Sequence, residues 1–194
     1  MEHPLSQFKY CPKCGSAHFD INNEKSKRCA DCGFVYYFNP SAATVALIMN
    51  ERNELLVCRR AKDPAKGTLD LPGGFIDMAE TGEEGVTREV KEETGYTLTS
   101  YRFCGIVTFV SGNGVTEYMH LFTADGFEGE PIACDEGELE WVKKEDVLKL
   151  NIWEGDRIFL RLLADEEPFF SLKLVYDGHD GMISAVLNGK EIKK

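Results

Sequence analysis

One stretch of the sequence, residues 71–95, restricts the fold of this chain more than any other. It opens with Leu-Pro-Gly-Gly at residues 71–74, which cannot be helical because proline lacks an amide hydrogen and glycine favours turns. Thr81 and Glu84 then have the spacing of a capping box, two valines follow at helical spacing, and glycine supplies a stop. The sequence therefore predicts a loop followed by one helix over residues 82–94.

Three glutamates fall on one face of this predicted helix. Glu89, Glu92 and Glu93 are separated by steps of three and four residues, which bring side chains together on a helix surface. Each like-charge contact costs an isolated helix roughly 0.2 to 0.5 kcal/mol. The face therefore needs solvent, a basic partner or a bound cation, and hard carboxylate oxygens suit Mg²⁺ or Mn²⁺. A merely solvated surface is the alternative.

The wider pattern around these glutamates resembles the Nudix box. Its fixed positions are Gly74, Glu80, Arg88, Glu89, Glu92, Glu93 and Gly95. Tyr96 departs from the pattern, which usually has an aliphatic residue at that position. The resemblance implies a Nudix hydrolase, which cleaves a diphosphate linkage with water and a divalent metal. It also implies an α+β fold, the Nudix α/β/α sandwich with a mixed sheet.

The same resemblance assigns roles within the box. The implied catalytic residues are Arg88, Glu89, Glu92, Glu93 and Glu136, and the implied ligands of Mg²⁺ or Mn²⁺ are Gly74, Glu89, Glu92, Glu93 and Glu136. Arg88 would orient the carboxylates, and Glu80 would support the loop and the helix. The general base is either a glutamate of the box or Glu136.

Four of the seven cysteines form two Cys-x-x-Cys pairs near the N-terminus. Their spacing predicts a tetrahedral site for a structural Zn²⁺, held by Cys11, Cys14, Cys29 and Cys32. Free thiols or a redox pair are the alternative. A break at Asn39-Pro40 predicts two domains, a zinc ribbon over residues 1–38 and a Nudix hydrolase domain over residues 39–194.

Apolar and β-branched runs predict the other elements. Strands are expected at 44–49 and 54–60, joined as a hairpin, then at 97–110, 116–124, 138–143, 169–176 and 182–188, with a helix near 155–165. Strands and helices do not alternate along the chain, which favours an α+β architecture.

Charge and composition exclude several classes of protein. The net charge of −11 argues against a nucleic-acid partner, although local basic patches are compatible with it. No apolar run approaches the ~18 residues of a membrane span, and the N-terminus lacks the layout of an export signal. We therefore expect a cytoplasmic protein that does not bind membranes.

The two halves of the chain resemble different Nudix groups. The N-terminal half is similar to zinc-ribbon Nudix proteins, which include NADH diphosphatases, but their Ser-Gln-Pro-Trp-Pro-Phe-Pro stretch is missing. The C-terminal half resembles mutator-type, oxidised-purine nucleoside triphosphatases. That similarity implies that Trp153 covers the purine face and that Asp156 accepts hydrogen bonds from its edge, whereas Gly155 replaces an acid found in some relatives.

Each proposed substrate residue also has a structural interpretation. Trp153 could be an ordinary core or helix-flank aromatic and Asp156 an acid favoured by a helix N-terminus. Phe109 could line the pocket or be an ordinary buried strand residue. Arg59, Arg60 and Lys62 either meet phosphates or are solvated charges, and His120 and Trp141 are expected to be structural.

The first functional hypothesis is a Mg²⁺-dependent pyrophosphohydrolase of oxidised purine nucleoside triphosphates such as 8-oxo-dGTP, which releases the monophosphate and diphosphate. The second is a diphosphatase acting on NADH or ADP-ribose. The third is a non-catalytic, nucleotide-sensing regulator that uses its zinc ribbon as an interaction module. The family resemblance also suggests a homodimer.

Overall fold

The computed structural model describes residues 3–61, 66–134, 137–165, 168–179 and 181–193. It divides into two compact units, Met1–Pro40 and Ser41–Lys194. Within the described residues, no helix is both long and apolar enough to cross a membrane.

The first unit is a small antiparallel sheet. Its strands, in the order β1-β2-β3, are β1 (Phe19–Asn23), β2 (Ser26–Cys29) and β3 (Val35–Tyr37). A short sheet of this size buries few apolar groups, and Phe19, Cys11 and Cys29 form its buried cluster. Such a unit lacks the core that usually stabilises a domain, so additional cross-links are expected.

The second unit contains ten strands and three helices within its described residues. The strands are β4 (Ser41–Ile48), β5 (Glu54–Arg60), β6 (Leu69–Asp70), β7 (Gly73–Phe75), β8 (Thr97–Val110), β9 (Thr116–Glu128), β10 (Gly137–Lys143), β11 (Phe170–Tyr176), β12 (Met182–Leu187) and β13 (Lys190–Lys193). The helices are α1 (Gly82–Thr94), α2 (Lys144–Val147) and α3 (Glu154–Ala164).

These strands form two sheets, one of which is mixed. The larger sheet has the order β13-β12-β11-β8-β9-β4-β7, and the smaller one has the order β10-β5-β6. In the larger sheet, β11 runs parallel to β8 and β4 runs parallel to β9, whereas the other pairs are antiparallel. The predicted α+β class with a mixed sheet is confirmed.

The helices pack against two separate apolar clusters. Alternation along β4 sends Leu47 into the cluster that contains α2 and α3, and Ile48 into the cluster that contains α1. A strand with apolar side chains on both faces must be covered by other elements on both faces of its sheet. The sheets are therefore held between α1 and the α2–α3 pair, which is the layered arrangement of the predicted sandwich.

The structure corrects two local predictions. The strands at 44–49 and 54–60 exist, but they are not a hairpin: β4 and β5 belong to different sheets and share one isolated bridge, Met49 with Leu55. The physical reason is that β9 and β7 already pair with both edges of β4. The predicted loop at 71–74 ends in a strand, because Gly73 and Gly74 are in β7.

Candidate active site

Helix α1 is fixed at both ends by local sequence. The Thr81 hydroxyl accepts the amide of Glu84, and the Glu84 carboxylate accepts the amide of Thr81, which completes the predicted capping box. At the other end Gly95 adopts a left-handed conformation with φ of 81°. These caps set the start and the rotation of the helix, and thereby the direction in which its charged face points.

Arg88 joins the acidic side chains of this face. Its Nε and Nη2 donate to both carboxylate oxygens of Glu80, at 2.8 and 2.9 Å. Its Nη1 donates to Glu89 at 2.8 Å and to Glu92 at 3.2 Å, and Nη2 also reaches the carbonyl of Phe75 at 3.0 Å. One guanidinium therefore connects the helix to the loop before it and to strand β7.

This ion-pair network changes the titration of its members. The hydrogen bonds from Arg88, together with the backbone amide of Asp77, lower the pKa of Glu80 to about 2. The same carboxylates, Glu80 and then Glu89, raise the pKa of Arg88 above its usual value. Glu80 is therefore ionised at any physiological pH, and its bidentate contact holds the guanidinium in one orientation.

Two glutamates of α1 converge on the same pair of glycines. The amide of Gly73 donates to Glu93 Oε2 at 3.0 Å. A Cβ atom at Gly74 would lie 2.6 Å from the carboxylate of Glu89, so any other residue here would push that carboxylate out of its position. The carboxylates of Glu89 and Glu93 therefore both lie against the Gly73–Gly74 backbone.

The predicted metal ligands are near one another but do not form a tight cage. Within the described part of the chain, the glutamates of α1 do not bring three carboxylate oxygens within 4.8 Å of one another. The Glu89 side chain is 15% exposed, whereas that of Glu92 is 61% exposed. Mg²⁺ usually takes one or two carboxylates and completes its shell with water and phosphate. The oxygen donors of Glu89 and Glu93 fit that requirement.

Two residues of the predicted site lie outside the described residues. Glu136, the alternative base and metal ligand, is one of them, and Lys62 is the other. The structure therefore gives no position for either side chain.

The three predicted substrate residues line one cavity of about 470 Å³. Trp153 precedes α3, Asp156 lies in its first turn, and Phe109 is near the end of β8. The Trp153 side chain is not a core residue, since the residue is 41% exposed. A core position is therefore excluded for Trp153, whereas its place directly before α3 agrees with the helix-flank alternative, so its role in substrate binding stays a prediction.

Tyr176 contacts the start of α3, next to Trp153 and Asp156. The Gly155 amide donates to the Tyr176 hydroxyl at 3.1 Å, and a Cβ at Gly155 would lie 2.3 Å from that oxygen. An acid at position 155 would therefore displace Tyr176. The Tyr176 ring also stacks on Phe109, with centroids 6.2 Å apart. Sequence reasoning missed Tyr176, because its role arises only when β11 and α3 meet.

Asp156 is a carboxyl group in an unfavourable environment for charge. Burial, followed by the negative charge of Asp70, raises its pKa to about 7. Burial likewise raises the pKa of Tyr176 to about 12. Asp156 therefore exchanges its proton near neutral pH, which allows it to act as donor or acceptor toward a bound group.

The other charged and aromatic candidates have partners within the protein. Arg59 is paired with Glu140 at 2.7 Å, and Arg60 is paired with Asp70 at 3.1 Å. His120 lies against Phe103 and contacts the carbonyl of Ala43 at 3.1 Å, as expected for a structural residue.

The four N-terminal cysteines come together as a possible metal centre. Their sulfur atoms all lie within 4.8 Å of one another, and the closest pairs are Cys11 with Cys32 at 3.7 Å and Cys14 with Cys29 at 3.6 Å. Four sulfurs at 2.3 Å from a tetrahedral zinc would be about 3.8 Å apart. The cluster therefore has the ligand type and the spacing that a structural Zn²⁺ requires.

Comparison with known proteins identifies the class. The sequence model of the NUDIX domain matches residues 39–163. An oxidized purine nucleoside triphosphate hydrolase of Danio rerio is 31% identical over 156 residues, which cover 79% of this chain and 98% of that protein. The chain therefore belongs to the Nudix hydrolase superfamily, as the box pattern predicts.

Two further similarities are to the two kinds of Nudix protein that the sequence resembles, and each extends over about three quarters of the chain. The NAD-capped RNA hydrolase NudC of Vibrio atlanticus is 28% identical over 148 residues, 76% of this chain and 53% of that protein. The chain thus spans about half the length of the NudC relatives that it matches. The crystal structure of a mutator MutT protein from Bacillus halodurans has a TM-score of 0.70 at 26% identity, and covers 77% of this chain and 99% of that one.

Proposed function

We propose that this chain is a Mg²⁺-dependent Nudix pyrophosphohydrolase that converts oxidised purine nucleoside triphosphates, such as 8-oxo-dGTP, to the monophosphate and diphosphate. One observation carries the proposal. Asp70 lines the cavity that contains Trp153, and Gly73, three residues later, binds Glu93 of α1. Three residues of chain span at most about 11 Å. The cavity and the acidic helix are therefore close enough to bind the two ends of one nucleotide.

The acidic helix would bind the phosphate end. Glu89, Glu93 and the carbonyl of Gly74 would hold Mg²⁺ or Mn²⁺, with Glu92 at the exposed edge. The bound ion would neutralise phosphate charge and lower the pKa of a water molecule. Arg88 acts as a positioning residue, because it fixes the carboxylate of Glu89 while binding Glu80 with its other edge. Glu136 stays a prediction as the alternative base.

The cavity would bind the base. Trp153 offers an exposed aromatic face, and stacking of a base on such a face is worth ~1 to 3 kcal/mol. Asp156 would exchange hydrogen bonds with the purine edge, and Phe109 would pack against the bound nucleoside. The Danio rerio relative, which is named for oxidised purine nucleoside triphosphates, supports this choice of substrate.

NADH or ADP-ribose is the second candidate substrate. It is supported by the similarity to NudC, a protein named for NAD-capped RNA, and by the four clustered cysteines near the N-terminus. Phosphorus NMR with Mg²⁺ and a panel of 8-oxo-dGTP, dGTP, NADH and ADP-ribose distinguishes the candidates. Consumption of 8-oxo-dGTP at the highest kcat/KM is expected. Preferred cleavage of NADH or ADP-ribose would reject the first candidate, and consumption of none would favour the sensing regulator.

The N-terminal cysteines would hold one structural Zn²⁺. We propose that residues 1–38 form a zinc ribbon and residues 39–194 the catalytic domain. Metal analysis of the purified protein should find about one zinc per chain. The homodimer, the cytoplasmic location and the absence of a nucleic-acid partner stay predictions.

A further inference from the structure

The cavity beside α3 contains more carboxyl groups than Asp156, the one predicted from the sequence. Its described lining contains four acids, Asp70, Glu117, Asp156 and Asp177, and no lysine, arginine or histidine. Asp70 is paired with Arg60, and Asp177 accepts two amides of its own loop. Glu117 and Asp156, the latter with a backbone hydrogen bond at Trp153, have no ion pair within the described residues and are the carboxyl groups of the wall that the protein engages least.

Glu117 lies in the middle of a row of side chains across the sheet. Strand β9 runs between β4 and β8, and the residues opposite Glu117 are Ser41 and Phe109. Cross-strand partners share a face, and Phe109 and Glu117 both line the cavity. The Glu117 side chain is thus directed to the same space as the aromatic ring of Phe109.

The protein satisfies Glu117 only weakly. Its one hydrogen bond to a described side chain comes from the Ser41 hydroxyl at 3.4 Å, which is long for an O–H donor. No cation of the described residues lies within 4.0 Å of it. Burial raises the pKa of Glu117 above its usual value. A ligand N–H group placed here would supply the hydrogen-bond donor that Glu117 lacks, whereas a ligand acceptor would be repelled by the carboxylate.

We propose that Glu117 is a specificity-determining residue, which together with Asp156 accepts N–H donors from two different edges of one purine and thereby selects 8-oxoguanine over guanine. The inference rests on the proposed function. Guanine presents N7 as an acceptor on its major-groove edge. Oxidation at C8 turns N7 into an N–H donor. A carboxylate beside N7 therefore forms a charge-assisted hydrogen bond with the oxidised base and faces a lone pair of the normal base.

The test compares two substrates on three proteins. We would measure kcat/KM for 8-oxo-dGTP and for dGTP with the wild type, with Glu117→Gln and with Glu128→Gln. The glutamine amide can donate to N7 of guanine, so Glu117→Gln is expected to lower the 8-oxo-dGTP to dGTP ratio roughly 10- to 100-fold. Glu128→Gln removes an exposed charge from the same strand and should leave the ratio unchanged. An unchanged ratio in Glu117→Gln would overturn the inference.

A second measurement separates this inference from the proposed function. Calorimetry would compare the affinities for 8-oxo-dGMP and dGMP of the wild type and of Glu117→Asp, which keeps the charge but shortens its reach. A smaller preference for 8-oxo-dGMP in Glu117→Asp supports the inference, even where Glu117→Gln fails to fold, and an equal preference overturns it. A wild type that cleaves neither triphosphate, or that does not prefer 8-oxo-dGTP to dGTP, contradicts the proposed function. A wild type that prefers 8-oxo-dGTP, with the same preference in Glu117→Gln and Glu117→Asp, contradicts only the role of Glu117.

Discussion

The contact between Gly74 and Glu89 gives the sharpest test of the phosphate end of the site. A Cβ atom added at Gly74 would lie 2.6 Å from the Glu89 carboxylate, whereas ordinary contacts begin near 3.4 Å. The carboxylate must therefore move by about 0.8 Å. A misplacement of this order costs up to about 100-fold in rate when the displaced group orients the reaction. We expect Gly74→Ala to lower kcat by one to two orders of magnitude.

Gly82→Ala is the matched control for this substitution. Gly82 begins α1, and its added Cβ would make only ordinary contacts, the nearest at 3.5 Å to His120. Alanine also favours a helix over glycine by up to about 1 kcal/mol. Gly82→Ala should therefore keep its activity and melt at the same or a higher temperature.

The assay is steady-state hydrolysis of 8-oxo-dGTP as a function of Mg²⁺ concentration, with thermal melting of each variant. Gly74→Ala is expected to need more Mg²⁺ for half-maximal rate and to melt close to the wild type, because the atoms that must move are the carboxylate end of the Glu89 side chain and not backbone. A Gly74→Ala protein with wild-type kcat and wild-type Mg²⁺ dependence would refute the role given to this contact.

Other predictions follow from the same geometry. Glu93→Gln should lower turnover at least about 100-fold with folding preserved, because the amide oxygen can still accept from Gly73; near-normal turnover would remove Glu93 from the site. Trp153→Ala should raise KM for purine substrates roughly 5- to 150-fold, and an unchanged KM would exclude stacking. The pKa of Asp156 is about 7 in the folded protein, against an ordinary value of 3.8. The folded protein therefore binds the Asp156 proton more tightly than the unfolded chain does. As a result, the contribution of Asp156 to the free energy of unfolding falls as pH rises from about 4 to about 7. Denaturant titrations should show that Asp156→Asn removes this part of the pH dependence, and the same slope in both proteins would contradict it. Strong chelation should release about one zinc per chain and unfold the N-terminal unit, while 8-oxo-dGTP hydrolysis persists when Mg²⁺ is restored; loss of both together would contradict a purely structural metal.

The helix that carries the site was predictable because all of its signals are local. Thr81, Glu84 and Gly95 decide where α1 begins and ends through contacts with residues at most four positions away. Glu89, Glu92 and Glu93 then follow from helical periodicity alone. The predicted bounds of residues 82–94 therefore agree with the structure.

The cavity beside α3 was only partly predictable, because it is built from strand pairing. Glu117 faces Phe109 through the register of β8 and β9, and Tyr176 reaches Gly155 from β11, which runs parallel to β8. Parallel pairs join distant segments, so the sequence around Tyr176 carries no signal of its partner. The same reason explains why β4 and β5 were wrongly predicted as a hairpin.

The charge distribution constrains how a nucleotide could enter this site. The chain carries a net charge of −11, and part of its excess of acids is concentrated on the face of α1 and in the four carboxyl groups that line the cavity. A triphosphate is itself strongly negative, and repulsion within the ~8 Å Debye length is little screened at physiological salt. Arg88 cannot offset this repulsion, because Glu80, Glu89 and Glu92 already occupy its donors. If the proposed function holds, binding of the phosphate end therefore depends on a divalent cation, whereas the base end can bind alone. Accordingly, removal of Mg²⁺ should weaken binding of 8-oxo-dGTP far more than binding of the uncharged nucleoside, and equal weakening of both in calorimetry would contradict this division of the site.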